Sequence, residues 1–370
     1  MKIHHLEFYV GSGLQTTQYY KQALGLEETY YKGLQTQERH QCTRVIENDD
    51  QSVVFTLTSA INGSSQNDLF YEKIKKHGDH VHDIALVVDD HVEALVQHIN
   101  ALDDSSHAVF KYKNNKKIAI VTPPHNVTWQ HTIIQKEEAP LYFEKAGFEA
   151  RKSAKAKHLV DNVDHVAFAV PQIQPMADWY SKAFSLKRFM VNDDDDAKEG
   201  LAIKGIRTLS MVPSCDTISF RFVFVEPKAY ERRSQISEFL EYHEGAGVAH
   251  AALHTQNIFE AVSNARLYGV PFIDVPLTYY EIAKTKSSLS KIDLEKEIMV
   301  KENRILIDGH QDDAEKPFDY LLQTFSHPLV DRPTFYLELI SRQGATGFGS
   351  GNITHLFKAI EQLQLARGNG

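Results

Sequence analysis

Two cysteines in 370 residues, Cys42 and Cys215, stand far apart, without the paired spacings of a zinc site or a disulfide framework. Neither staples the fold, and a reducing compartment fits. Long hydrophobic runs are missing too: no stretch approaches the roughly 20 apolar residues that a membrane helix needs, so no membrane partner is expected. Basic excess is absent, with a formal charge of -9 and pI ≈ 6.1, which removes the electrostatic footprint of a nucleic-acid binder. No glycine-rich phosphate loop follows any strand-like run, so a nucleotide fold gains no support. The opening Met1-Lys2-Ile3-His4-His5-Leu6 has neither an apolar signal core nor a transit segment, and the cytoplasm is the expected address. What is present is an ordinary globular composition, 42% hydrophobic and 24% charged, on a chain long enough for two domains.

The chain repeats itself, which decides its organisation. Ile3 to Val10, a helical stretch with Tyr19-Tyr20 and then Leu24-Gly25-Leu26 matches Val163 to Val170, a stretch with Trp179-Tyr180 and then Phe184-Ser185-Leu186. A second pair, His80 to Leu86 and Gly247 to Leu253, aligns without gaps, and each half ends on a late strand, at residues 131–135 and 337–341. Residues 137–160, rich in Lys, Glu and Ala with no apolar period, read as the linker between an N-terminal domain (1–136) and a C-terminal domain (161–370). The second copy is longer, with a helical insertion near 279–304 and a closing helix. There Ile353, Leu356, Phe357, Ile360 and Leu363 share one face behind Asn352, a residue suited to capping.

The repeat sets His165, His250 and Glu338 against His5, Asp83 and Thr132 of the first copy. Only the second-copy set is a good ligand set: two imidazoles and one carboxylate, the arrangement that holds non-haem Fe(II) on one face and leaves positions open. Each lies in an apolar strand-like run, where an unpaired carboxylate is costly. The residues alone also fit hydrogen-bonded core histidines and a glutamate facing solvent from an edge strand. The run Asp193 to Asp196 reads as a solvated loop, because consecutive residues cannot all turn toward one ion. Asp308 to Asp313 reads as a turn, lacking the later bidentate glutamate of a calcium loop.

With these residues placed, the second half resembles the 4-hydroxyphenylpyruvate dioxygenase family of the vicinal oxygen chelate superfamily. The motifs are Val163-Asp164-His165, Gly247-Val248-Ala249-His250, Tyr279-Tyr280, Asp331-Arg332-Pro333-Thr334, and Glu338 through Gly347-Phe348-Gly349-Ser350-Gly351-Asn352. The first half is similar in His77-Gly78-Asp79 and the strands around it, so nearly the whole chain is covered. The resemblance implies an α+β fold of tandem βαβββ modules forming two open barrels. The C-terminal barrel, closed by the last helix as a lid, would be catalytic and hold Fe(II) through His165, His250 and Glu338. It implies an aryl 2-oxo acid, 4-hydroxyphenylpyruvate, oxidised with O2 and loss of CO2 to homogentisate in tyrosine catabolism, by a homodimer. Gln323, Gln235 and Ser210 match polar catalytic positions, while Phe325, Tyr336, Phe348, Asn352, Ile353 and Leu356 would wall the pocket. Departures lie at the far end of that pocket: Val223, Val225 and Ala249 stand where homogentisate-forming members carry Pro, Asn and Gln. Two alternatives follow, benzylic hydroxylation to 4-hydroxymandelate and a catalytically silent binding protein.

Overall fold

The computed structural model describes residues 1–89, 91–102, 107–113, 116–152, 155–190, 195–196, 200–203, 205–214, 218–228, 233–285, 291–310, 318–347, 349, 352 and 368. In the first half the strands are β1 (Lys2–Tyr9), β2 (Glu27–Lys32), β3 (Gln41–Glu47), β4 (Val54–Ala60), β5 (His80–Val88), β6 (His107–Lys113), β7 (Lys116–Thr122), β8 (His131–Gln135) and β9 (Glu149–Ala150). Helices α1 (Gly13–Leu24), α2 (Asp68–His77), α3 (Val92–Asn100) and α4 (Tyr142–Lys145) connect them. The second half has β10 (Asn162–Ala169), β11 (Leu186–Phe189), β12 (Leu201–Ile203), β13 (Ile206–Pro213), β14 (Arg221–Pro227), β15 (Gly247–His254), β16 (Leu306–His310), β17 (Asp319–Phe325) and β18 (Tyr336–Gln343). Its helices are α5 (Ile173–Phe184), α6 (Gln235–Tyr242), α7 (Ile258–Leu267), α8 (Leu277–Thr285) and α9 (Leu294–Glu302).

Each half makes one open sheet. The first runs β6-β7-β8-β5-β1-β4-β3-β2-β9, and the second β11-β13-β14-β10-β15-β18-β17-β16 with β12 beside β13. At the centre of each, a strand and its later counterpart pair antiparallel, β1 with β5 and β10 with β15, while each also pairs in parallel with the last strand of its own unit. The repeat is therefore finer than two copies: each half is itself a doubled βαβββ unit. The helices close alike, because α1 ends on Gly25 at φ 68 and α5 on Ser185 at φ 53, a left-handed turn that glycine adopts at no steric cost.

Residues 137–160 hold α4 and β9, which pairs with β2, and Phe143 is buried against Val45 and Val54, so this stretch packs onto the first sheet. Asp195, read as part of a solvated acidic loop, is buried and paired with Arg188. Asp308, read as part of a turn, lies in β16 paired with Leu321. The expected closing helix, with Ile353, Leu356, Phe357, Ile360 and Leu363, lies outside the described residues.

One hydrophobic core spans both halves. Trp129 of the first half packs on Phe168 of the second at 4.7 Å between ring centroids. Its Nε1 donates to the Tyr180 hydroxyl at 2.9 Å, and that hydroxyl donates to His131 Nε2 at 2.6 Å, since His131 Nδ1 already donates to the Ile84 carbonyl. Arg332 is a second pin: it donates to the Lys75 and Lys76 carbonyls at the end of α2 and to the Tyr242 carbonyl at the end of α6. A cation there meets the negative ends of two helix dipoles.

Beside Arg332 three imidazoles gather from both halves, with His77 and His243 ring centroids 4.9 Å apart and His80 5.5 Å from His77. Each Nδ1 donates to a backbone carbonyl, of His243, Gly78 and Gly245 for His77, His80 and His243 respectively. Burial, followed by the neighbouring histidines and Arg332, lowers His243 to about 3; burial likewise takes His80 to about 3, against the Gly78 hydrogen bond. The folded state thus keeps them neutral where the unfolded chain protonates them near pH 6.5. Unfolding then takes up protons below that value, so stability falls as the pH drops from about 6.5 toward 3. Between pH 7.5 and 5.5 each group should remove roughly 1 kcal/mol. Denaturant titrations at the two pH values should show this loss, and His243→Gln should make it smaller.

Candidate metal centre

The register of the second sheet aligns the predicted ligands. Across β14, β10, β15, β18 and β17 one row reads Arg221, His165, Ala252, Glu338, Phe325. Two residues along, on the same face, a second row across β13, β14, β10, β15 and β18 reads Ser210, Val223, Ala167, His250, Tyr336. His165 and Glu338 are thus separated only by the methyl of Ala252, and His250 is flanked by Ala167. Small residues at these two positions leave the space in which three longer side chains converge.

Two single-residue bulges sharpen the convergence. Between β10 and β15 the register shifts at Asp164, just before His165, and again at Ala249, just before His250. A bulge re-aims the neighbouring side chain, here once for each imidazole.

The three ligating atoms form a nearly equilateral triangle: His165 Nε2 to His250 Nε2 is 3.2 Å, His165 Nε2 to Glu338 Oε2 3.2 Å, and His250 Nε2 to Glu338 Oε2 3.5 Å. A divalent ion held by bonds of about 2.1 Å at right angles separates its ligands by about 3.0 Å, so the triangle fits a metal on one face. No other group of three His, Cys, Asp or Glu among the described residues brings its ligating atoms within 4.8 Å of one another. Burial pushes His165 down, but Glu338 and Asp164 outweigh it and hold it above its ordinary value. Burial and then His165 hold His250 well below. The first half has the same register, with His5, Asp83 and Thr132 at the matching places, but there the Asp83 carboxylate accepts from the Thr132 amide and hydroxyl and from Gln130 Nε2.

Two tethers hold the triad. His165 Nδ1 donates to Asp164 at 2.8 Å, and Arg342 grips Asp164 with Nε at 2.8 Å and Nη2 at 2.9 Å, fixing the imidazole so that Nε2 faces the other ligands. Burial favours the neutral acid at Asp164, but Arg342 and His165 outweigh it and keep the carboxylate charged. On the other side Gln323 Nε2 donates to Glu338 Oε1 at 3.1 Å, and Asn352 Nδ2 donates to Gln323 Oε1 at 3.0 Å. The Tyr279 hydroxyl lies 2.7 Å from Asn352 Oδ1 and accepts from the Ile307 amide at 2.9 Å. Gly349 passes so close that an added Cβ would meet Gln323 Oε1 at 1.7 Å.

Tyr336 stacks on His250 at 4.7 Å and Phe325 stands edge-on to it at 6.5 Å, giving the centre an aromatic side. Tyr336 also opens onto a cleft of ≈ 530 Å³ that includes Gln235, Phe239, Ala249, Ile273 and Thr334. Val225 and Ala249 belong to an apolar cluster with Ala169, Ile236 and Phe239, against which Val223 packs. Ser210 continues the His250 row two strands away, and Asn352 supports Gln323. Phe348, Ile353 and Leu356 lie outside the described residues. Asp164, Arg342, Tyr279 and the two alanines escaped sequence reasoning. Asp164 and Tyr279 stood inside recognised motifs without a role, and nothing in the sequence marks Arg342.

Filling the gap between the ligands tests this geometry. Ala252→Leu should lower metal affinity roughly 10–100-fold, the range found when the support of a ligand is disturbed, with the sheet still folded. Metal titration with circular dichroism alongside would measure both.

Comparison with known proteins agrees with this arrangement. The Glyoxalase/Bleomycin resistance protein/Dioxygenase superfamily model matches residues 162–283. A 4-hydroxyphenylpyruvate dioxygenase from Danio rerio is 32% identical over 385 residues, spanning 100% of this chain and 92% of that protein. The protein of the same name from Dictyostelium discoideum is 31% identical over 375 residues, spanning 99% and 98%. Among solved structures, a mutant 4-hydroxymandelate synthase from Streptomyces coelicolor superposes with a TM-score of 0.77 at 21% identity over 98% of both chains, a likeness of fold. Similar to such relatives from end to end, this chain belongs to the 4-hydroxyphenylpyruvate dioxygenase family.

Proposed function

We propose that the chain is an Fe(II)-dependent dioxygenase that converts 4-hydroxyphenylpyruvate and O2 to homogentisate and CO2. The observation that carries this reading is the buried triangle of His165, His250 and Glu338, with edges of 3.2 to 3.5 Å, in a chain that the dioxygenases match over its whole length. When bound, a redox-active divalent ion supplies the place where a 2-oxo acid chelates and O2 is reduced.

The chain's own residues do the rest. His165, His250 and Glu338 would hold such an ion, and Tyr336, stacked on His250, links them to the cleft. Gln323 holds Glu338 Oε1, so Oε2 stays aimed at the two imidazoles. Arg342, through Asp164, fixes the ring of His165. Phe325 and Tyr336 keep water from one side of His250 and offer flat faces to an aryl ring. Gln235, in the lining of the cleft, offers an amide to the substrate. The reading further includes a homodimer in the cytoplasm, on the family resemblance alone; among the described residues no helix is long and apolar enough to cross a membrane.

A specific observation favours a second product. Val223, Val225 and Ala249 share one apolar cluster, so the far wall offers a phenol hydroxyl little to bind, and an unpartnered buried hydroxyl costs about 1–3 kcal/mol. A ring that shifts to escape this cost presents its benzylic carbon and yields 4-hydroxymandelate. The two products are isomers, so gas exchange alone does not separate them.

Iron-loaded protein should consume O2 and release CO2 in equal amounts with 4-hydroxyphenylpyruvate, and Glu338→Ala should abolish both; no turnover in iron-loaded wild type would favour a silent binding protein. In a chromatographic product assay, Val223→Pro, Val225→Asn and Ala249→Gln together should raise the homogentisate share. An unchanged ratio in an active triple variant would show that these positions do not set the pose.

A further inference from the structure

A second cavity, open to solvent on one side, lies where the first half meets the loop between β17 and β18. It shares no lining residue with the cleft beside the triad. Aromatic rings dominate its walls, Phe8 from β1, Tyr19 and Tyr20 from α1, and Phe335 from the loop, with Phe8 and Phe335 in edge contact at 5.3 Å between centroids.

Polar groups in this lining lack the partners their chemistry calls for, the buried His80 Nε2 among them. Asp79, half-buried at the head of β5, accepts one hydrogen bond, from the Gly11 amide at 2.8 Å. No Lys, Arg or His among the described residues forms an ion pair with it, and the charged group nearest in effect is another carboxylate, Asp331. Tyr20 is buried, with 3% of its surface exposed, and its hydroxyl has no hydrogen-bond partner among the described residues. A partly desolvated carboxylate without a cation, and a hydroxyl without a partner, each cost free energy that a ligand of the right polarity removes.

The lining contains no Lys or Arg, and burial holds its one imidazole, His80, neutral, so no cation in it answers the carboxylate of an aryl acid. It does answer a cation carried by a flat apolar body: a carboxylate for the charge, aromatic faces for both charge and ring, and a hydroxyl for a remaining N–H. We infer that this cavity is a binding site for a primary arylalkylamine, with the ammonium on Asp79 and the ring among Phe8, Tyr20 and Phe335. The inference stands on these residues and is independent of the reaction proposed at the triad.

The test titrates 2-phenylethylamine into the full chain by calorimetry, with 3-phenylpropionate as a partner of similar size and opposite charge. The amine should bind saturably and the acid should not. Asp79→Asn should weaken the amine by roughly tenfold or more, the loss of a charged hydrogen bond. Thr16→Trp, which fills the cavity from α1, should abolish binding, and Glu338→Ala should leave it unchanged. Absence of amine binding, equal binding of the acid, or full affinity in Asp79→Asn would overturn the site. Loss of binding in Glu338→Ala would overturn it too, by moving the amine to the metal centre. Should Asp79→Asn not fold, Thr16→Trp decides: retained affinity there rejects the cavity.

Discussion

Neighbouring strands in a sheet lie about 4.8 Å apart, yet the atoms that face one another from β10, β15 and β18 are only 3.2 to 3.5 Å apart. Holding a carboxylate and two imidazoles that close, on the buried face of a sheet, is the constraint to which the surrounding structure answers. Ala252 and Ala167 give the side chains room, and the bulges at Asp164 and Ala249 turn them inward. The two tethers stop them from turning away. Those tethers start on opposite sides of the triad and meet in one segment: Arg342 also donates to the carbonyls of Ala345 and Gly347, while Gln323 reaches Asn352. The stretch leading out of β18 is therefore tied to the orientation of His165 and of Glu338 at once.

How much of this could be read in the sequence depends on the range of the interaction. The duplication exposed His165, His250 and Glu338, because two of their three counterparts, Asp83 and Thr132, carry side chains of different chemistry. Strand positions followed from alternation, and residues 131–135 match β8 to the residue. The bulges left no trace, since one inserted residue does not change a hydrophobic pattern. Arg342 was silent because its partner Asp164 lies 178 residues away, and Asp195 was misread because Arg188, which draws it inward, sits outside the acidic run. Asn352 reads as a helix cap; its amide also donates to Gln323, a contact that only the folded sheet creates.

The loop between β17 and β18 separates two spaces. His327, Pro328, Pro333, Thr334 and Tyr336 face the cleft beside the triad, and Leu329, Val330 and Phe335 face the cavity between the halves. Phe335 and Tyr336 are consecutive and point to opposite sides, as strand geometry requires. Arg332, in the same loop, is anchored to the ends of α2 and α6, so the partition is fixed at its middle by one helix end from each half of the chain. The first half thus braces one wall of the cleft.

The first sheet carries the same two bulges, at His4 before His5 and at His82 before Asp83. There they aim side chains at one another that have been given over to hydrogen bonding. The backbone deviation that gathers the candidate ligands is therefore separable from the side chains themselves: it belongs to the duplicated scaffold, and the ligand set to the residues placed upon it. A scaffold of this kind can lose a centre in one copy and keep it in the other while every strand stays in register.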